Sequence, residues 1–461
     1  MLIALVVAAT TLPSPAPPLK PGPEFFAAHR QRLLDHLPAG SVAVFHAAPE
    51  HDAEVKPDPY RQDSSFWWLT GLAEPNAIAV LRRVAEGPRY VLFVPARDFK
   101  NEQWTGWRAG VEGAKQEHQA EQAYPNDELW KRLPDLWRGA RSLVVSDGGN
   151  QAFRTRLLEA WKPGDPNATE ARPVVDAAPI LNRLRLIKDD TEIALMRRAA
   201  SLSAEAHVAA MRATRAGAYE YTLKGAMVGT CLAGGAGRMA YPPIVGAGRN
   251  AVILHYETAE ARLEAGQMVV NDTACEYSFY AADVTRSYPV SGRFSPEQRA
   301  IYEIVLAAQK AGFERTRPGA AFRDVHQATV EVVVDGLLRL GILSGDRAQI
   351  LERREYQKFY PHGASHWLGL LVHDVGSYGY PENVERLARY GQAMTKLEPG
   401  MVLTIEPGIY FPEGSTADQR WWNIGVRIED VALVGAADAE CLSCAAPREV
   451  ADVERTLAGR R

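Results

Sequence analysis

In the second half of this chain, short apolar runs lead into carboxylates, and no other feature restricts its possible folds as strongly. Met268-Val269-Val270-Asn271 runs into Asp272, Val402-Leu403-Thr404-Ile405 runs into Glu406, and the stretch from Ile424 to Val431 carries Glu429. Asp283 follows Tyr280-Ala281-Ala282, eleven residues after Asp272. That spacing suits two adjacent strands of a hairpin with both carboxylates facing one pocket. Any one of these acids taken alone reads as a cap or turn former.

Strand alternation through Gly425-Val426-Arg427-Ile428-Glu429 sends Arg427 and Glu429 to one face and Val426 and Ile428 to the other. A charged face in so apolar a strand asks for a partner, the plainest being a ladder pair between those two side chains. Glu406 is followed at once by Pro407-Gly408, so its carboxylate is presented where the strand stops. Three of the chain's eleven histidines, His362, His366 and His373, fall within twelve residues of a glycine-punctuated segment. Imidazoles at fixed positions beside a pocket suit metal ligation, substrate contact or proton transfer. His255, in Ile253-Leu254-His255-Tyr256, reads on its own as a core histidine.

At 461 residues the chain exceeds what one core usually organises, so two domains are expected. Residues 24–176 mix strand-like runs, such as Ser41 to Phe45 and Tyr90 to Val94, with a helical stretch from Phe25 to Leu37, an α/β pattern. The Pro-bounded stretch from Pro173 to Pro179 marks a boundary, and a long amphipathic helix from Asp190 to Arg215 opens a second domain over 177–461. Further helices are expected over 297–312 and 322–340. With 52 basic and 56 acidic residues and a net charge of −4, no global field favours a polyanion, so nucleic acid is not an expected partner. No apolar run is long enough to span a bilayer.

Residues 1–23 combine the apolar run Met1 to Ala9 with a Pro-rich stretch. They read as a secretory signal without a basic leader, favouring a secreted or periplasmic location over a cytoplasmic one. Four cysteines do not make a disulfide scaffold at this size. Cys441 and Cys444 form a CxxC with no second pair for zinc, and the expectation is small core-filling residues. Cys275 is expected to pack beneath the acidic site.

Six blocks together carry a resemblance: residues 253–256, 272–277, 283–286, 362–369, 398–408 and 426–430. They occur in the order found in the aminopeptidase P and prolidase branch of the pita-bread metallopeptidases, and closely resemble them. The block 59–71, centred on Arg61-Gln62-Asp63-Ser64-Ser65-Phe66-Trp67-Trp68, resembles that family's creatinase-like N-terminal domain. The resemblance covers nearly everything after residue 24. It implies an α/β (α+β) chain whose catalytic domain is a curved, mostly antiparallel sheet covered by helices.

The same resemblance implies a dinuclear metallo-exopeptidase that hydrolyses the Xaa-Pro bond at peptide N-termini, with a metal-bridged hydroxide as nucleophile. Asp272 would chelate one ion, Asp283 and Glu429 would bridge both, and His366 and Glu406 would complete the other. Glu406 would also shuttle protons. His373 and His255 would contact the substrate and stabilise the transition state, His362 would line the proline pocket, and Tyr410 and Arg427 would orient the ligands. Four carboxylates in one pocket need cations to stay ionised, and a set dominated by oxygen with one imidazole favours Mn²⁺, then Co²⁺ or Zn²⁺. Trp104 resembles a residue that closes a neighbouring subunit's site, which implies a homodimer or homotetramer.

Prolidase, which accepts only dipeptides, shares these ligands and is the nearest alternative. A pita-bread binding module that has lost its ligands is the alternative of another class, disfavoured because all five ligand positions are filled. Methionine aminopeptidase is disfavoured because it lacks an N-terminal domain of this kind. One departure stands out: Ala274 occupies a position where the family usually has glycine. If that position needs φ > 0, Ala274 is strained there by about 1 kcal/mol.

Overall fold

The computed structural model describes residues 19–50, 60–162, 172–376 and 395–459. The apolar run Met1 to Ala9, and Pro59 of the aromatic block, lie outside the described residues.

The first part of the chain builds a six-stranded sheet from β1 Ser41–His46, β2 Ile78–Arg82, β3 Tyr90–Val94, β4 Gln122–Pro125, β5 Ser142–Ser146 and β6 Val174–Asp176. The spatial order is β4-β3-β2-β1-β5-β6. β1, β2 and β3 pair antiparallel, while β4, β5 and β6 join parallel. β1, β2 and β3 are buried along their whole length, which explains why they read as continuous apolar runs rather than alternating ones. Their side chains still divide by the two-residue pleat. Val42, Val44, Val80, Val91 and Phe93 meet the helices Leu129–Leu136 and Gln151–Trp161 in one core. Ala43, Phe45, Leu81 and Leu92 face the helices Pro23–His36 and Ser64–Thr70 in a second core, which continues into the other half of the molecule.

That other half opens with the helix Asp190–Ala213, whose first turn is closed by a reciprocal cap. The Asp189 carboxylate accepts from the Thr191 and Glu192 amides, and Glu192 reaches back to the Asp189 amide; this satisfies otherwise orphaned donors. The helices Pro296–Arg315 and Phe322–Arg339 also lie where the hydrophobic period places them.

The antiparallel strands of this half are short. β7 Arg238–Met239, β8 Ile244–Ala247, β9 Met268–Asp272, β10 Cys275–Tyr277, β11 Tyr280–Ala281 and β12 Thr285–Pro289 form the sheets β12-β9-β8 and β11-β10-β7. β13 Val402–Ile405, β14 Gly408–Tyr410, β15 Gly425–Arg427, β16 Asp430–Val434 and β17 Ala439–Cys441 form β13-β16-β17 and β14-β15.

Three expectations change. The run 424–431 is not one strand: it breaks at Ile428-Glu429, with β15 pairing to β14 and β16 to β13. Alternation misses the break because Ile428 stays buried through it. The cysteines are not free core fillers, since Cys231 bonds to Cys275 and Cys441 to Cys444. Ala274 is buried and has no positive φ, so the strain foreseen there is absent. The left-handed residues of this hairpin are instead Ser278 and Phe279 at its tip, with φ of 46° and 70°.

Candidate metal centre

The ladders of the second half bring the strand-end acids together. Thr285 of β12 lies opposite Asp272 at the end of β9, so Asp283, two residues before Thr285, projects beside Asp272. Asp283 therefore sits in the connection entering β12, not in a strand. The segment around His366 lies along β13: the Thr404 amide donates to the His366 carbonyl, and the Glu406 amide to the Ala364 carbonyl. His366 and Glu406 are thereby set side by side. The Glu429 amide donates to the Thr285 carbonyl, which draws the last carboxylate to the same place.

Ligand atoms of Asp283, His366 and Glu429 all lie within 4.8 Å of one another, and all three residues are buried. His366 Nε2 is 3.2 Å from Asp283 Oδ2 and 3.5 Å from Glu406 Oε1. Its Nδ1 is 3.1 Å from the Trp367 carbonyl, an acceptor that holds a proton on Nδ1 and turns Nε2 toward two carboxylates. The Tyr241 hydroxyl lies 2.6 Å from Asp272 Oδ1 and 2.7 Å from Asp283 Oδ1. A phenol has one proton to donate, so it can hydrogen-bond only one of the two carboxylates, and the other contact needs a carboxyl proton or a bound cation.

The electrostatics agree. Burial pushes the Asp283 carboxyl up, with the Asp272 charge adding to it. Burial raises Glu429 well above the usual range, helped by Asp283 and Glu406, and raises Glu406 to about 7. For His366 burial disfavours the charge, yet the Asp283 hydrogen bond and the Glu406 charge prevail and lift it to about 9. The pocket thus draws positive charge to itself. Dications held by oxygen atoms and one imidazole meet that need, so the donor set fits a metal.

A polar shell supports the cluster. Arg427 Nη2 donates to Asp272 Oδ2 at 2.6 Å, and Nη1 donates to the Tyr410 hydroxyl at 2.9 Å. The Tyr410 hydroxyl donates in turn to His362 Nε2 at 2.9 Å, while His362 Nδ1 donates to the Gly363 carbonyl at 2.7 Å. The expected ladder pair of Arg427 with Glu429 does not form. Thr285 stands between them instead, accepting from Arg427 Nε at 3.2 Å and donating to Glu429 Oε2 at 2.7 Å.

His373 stacks on His366 with ring centroids 4.0 Å apart and planes 10° apart. Its pKa is lowered to about 4 by desolvation, then by the charges of His366 and His255. His255 is exposed, contrary to its reading as a core histidine. Trp104 stands apart on the helix Phe99–Thr105, 88% exposed.

Tyr241, Thr285 and His207 also serve the site, though no pattern in the sequence singles them out. Fully buried His207 has Nε2 2.9 Å from the Val284 carbonyl and 3.1 Å from the Thr273 carbonyl, the residues that follow Asp283 and Asp272. It ties the two ligand-bearing segments together from behind. A histidine on the core face of a long helix was the only signal for it.

The pattern of metallopeptidase family M24 matches residues 194–436, and that of the aminopeptidase P N-terminal domain matches residues 26–145. The Xaa-Pro aminopeptidase of Haemophilus influenzae is 38% identical over 439 residues, 94% of this chain and 97% of its own length. The structure of Pseudomonas aeruginosa aminopeptidase PepP superposes with a TM-score of 0.89 at 39% identity, covering 95% of this chain and 99% of that one. Escherichia coli aminopeptidase P with the inhibitor Pro-Leu gives a TM-score of 0.88 at 35% identity, covering 95% and 99%.

Proposed function

This chain belongs to metallopeptidase family M24 and is a metal-dependent Xaa-Pro aminopeptidase; from that premise we propose that Asp272, Asp283, His366, Glu406 and Glu429 hold two divalent ions. Manganese is the first choice from the oxygen-rich donor set, with cobalt or zinc as alternatives. The observation that carries the reading is the convergence of His366 Nε2 with Asp283, Glu406 and Glu429 in one buried pocket. When bound, such a pair of ions supplies Lewis acidity toward the scissile carbonyl and toward an attacking water.

The chain's own residues do the rest. Glu406, set beside His366 by the pairing of the His366 segment with β13, takes a proton on a carboxylate oxygen as the water attacks and passes it to the departing proline nitrogen. His373 and His255, at the open side of the cluster, hold the substrate and the developing charge on its carbonyl. His362 lines the proline pocket, its ring set by Tyr410 and Gly363. Arg427 fixes the Asp272 rotamer through its 2.6 Å hydrogen bond.

Residues 24–176 form the N-terminal domain in this reading and 177–461 the catalytic one. Exposed Trp104 fits a contact that completes a neighbouring subunit's site in a dimer or tetramer. The two disulfides favour an oxidising compartment, secreted or periplasmic.

The test is to load metal-stripped protein with Mn²⁺, Co²⁺ or Zn²⁺ and follow Xaa-Pro dipeptides beside Xaa-Pro-Yaa tripeptides. Cleavage of the tripeptides is expected. Cleavage of dipeptides alone would make it a prolidase, and no hydrolysis with any ion would leave a binding module.

A further inference from the structure

The aromatic block of the N-terminal domain is not used by the chemistry above, yet its side chains reach the site. Arg61 Nη2 donates to the Leu370 carbonyl at 2.5 Å and lies 3.4 Å from the Phe279 carbonyl. Its Nε meets Glu276 at 3.0 Å, and Nη1 donates to the Ser64 hydroxyl at 3.0 Å. A single planar fork thus ties the hairpin between Asp272 and Asp283 to the segment that carries His373. The hairpin tip needs such support. Ser278 and Phe279 hold positive φ without being glycine, a conformation that persists only where surroundings impose it. Trp67 supplies the second hold, stacked on Phe279 with centroids 4.3 Å apart.

The other end of the His373 segment is held in the same manner. Buried Asp374 pairs with Arg185 at 2.5 Å, with Lys188 Nζ 3.7 Å away. Arg185 Nη1 donates to the Ser65 hydroxyl at 2.9 Å. Gly369 is required beneath this contact, since a Cβ there would lie 2.1 Å from Asp374 Oδ2. His373 therefore stands between two anchored positions, 370 and 374, whose guanidinium partners are both oriented by adjacent serines of the helix Ser64–Thr70.

We propose that Arg61 and Arg185 are positioning residues through which the N-terminal domain holds the segment 370–374, and so keeps the His373 ring stacked on His366. The inference rests on the reading of His373 as a substrate contact.

A double-mutant cycle tests it: kcat and KM on an Xaa-Pro-Yaa peptide for Arg61→Met, His373→Ala and the double variant, with metal content measured for each. Arg61→Met should lower kcat by ~10-fold or more with metal content unchanged, on the scale of lost orienting contacts. In the His373→Ala background the same change should cost less than about twofold, because residues acting through one another are not additive. A purely structural Arg61 gives the same loss in both backgrounds, and that outcome, or metal loss in Arg61→Met, overturns the proposal. Should Arg61→Met fail to fold, Arg61→Lys keeps the Glu276 charge pair but cannot fork, and must show the same non-additivity. A wild-type rate in His373→Ala overturns the reading of His373 on which the clamp rests. Unimpaired Arg61→Met beside impaired His373→Ala overturns the clamp alone.

Discussion

Arg427 is bound to Asp272 through a 2.6 Å contact between two buried groups, and the same guanidinium reaches Tyr410 and Thr285. Those three contacts need three differently directed N–H bonds, which a planar fork supplies and an ammonium on a flexible stem does not. Arg427→Lys should therefore keep the fold and most of the local charge while losing ~10–100-fold in kcat/KM or in metal affinity. Kinetics, metal titration and a thermal melt of the variant check this. Wild-type turnover would remove Arg427 from any role at the site.

His207 has no path to substrate, yet its Nε2 donates to backbone carbonyls beside both Asp272 and Asp283. His207→Leu should destabilise the protein by ~1–3 kcal/mol, because the Thr273 carbonyl loses a buried donor while the Val284 carbonyl keeps only the Thr273 amide, and should weaken metal binding. His207→Gln, which retains an amide donor of similar reach, should recover part of both. Equal metal affinity in the Leu variant and the wild type would reduce His207 to packing.

The same geometry shows what the sequence made legible and what it hid. The carboxylates Asp272, Asp283, Glu406 and Glu429 each follow or interrupt an apolar run, so they became legible as a set although each alone read as a cap or turn former, and the helices Asp190–Ala213 and Pro296–Arg315 announced themselves by hydrophobic period. Pairing between distant segments was not legible. Thr285 meets Glu429 across 144 positions, and Cys231 bonds to Cys275 across 44; no local pattern encodes either. The break between β15 and β16 was hidden for a related reason, because strand alternation records burial and not which neighbour a strand pairs with.

Glu406 gives a dependence on pH that metal binding does not confuse. Burial raises its carboxyl from about 4.5 to about 7 on folding, so the folded state prefers it protonated. Its contribution to stability is full below about 4.5 and is lost as pH rises through 7. In metal-stripped protein, Glu406→Gln should match wild type near pH 4.5 and become the more stable of the two by pH 8. Thermal melts across that range check it. A constant offset between the two curves would mean that the carboxyl is not held protonated.

In the proposed centre Asp272, Asp283, His366, Glu406 and Glu429 would hold two ions as one unit. Elemental analysis of wild type and Asp283→Ala, each purified after incubation with Mn²⁺, tests it most directly. Two ions per wild-type chain are expected, with occupancy and hydrolysis lost together in Asp283→Ala. Two ions per chain retained in Asp283→Ala would contradict it.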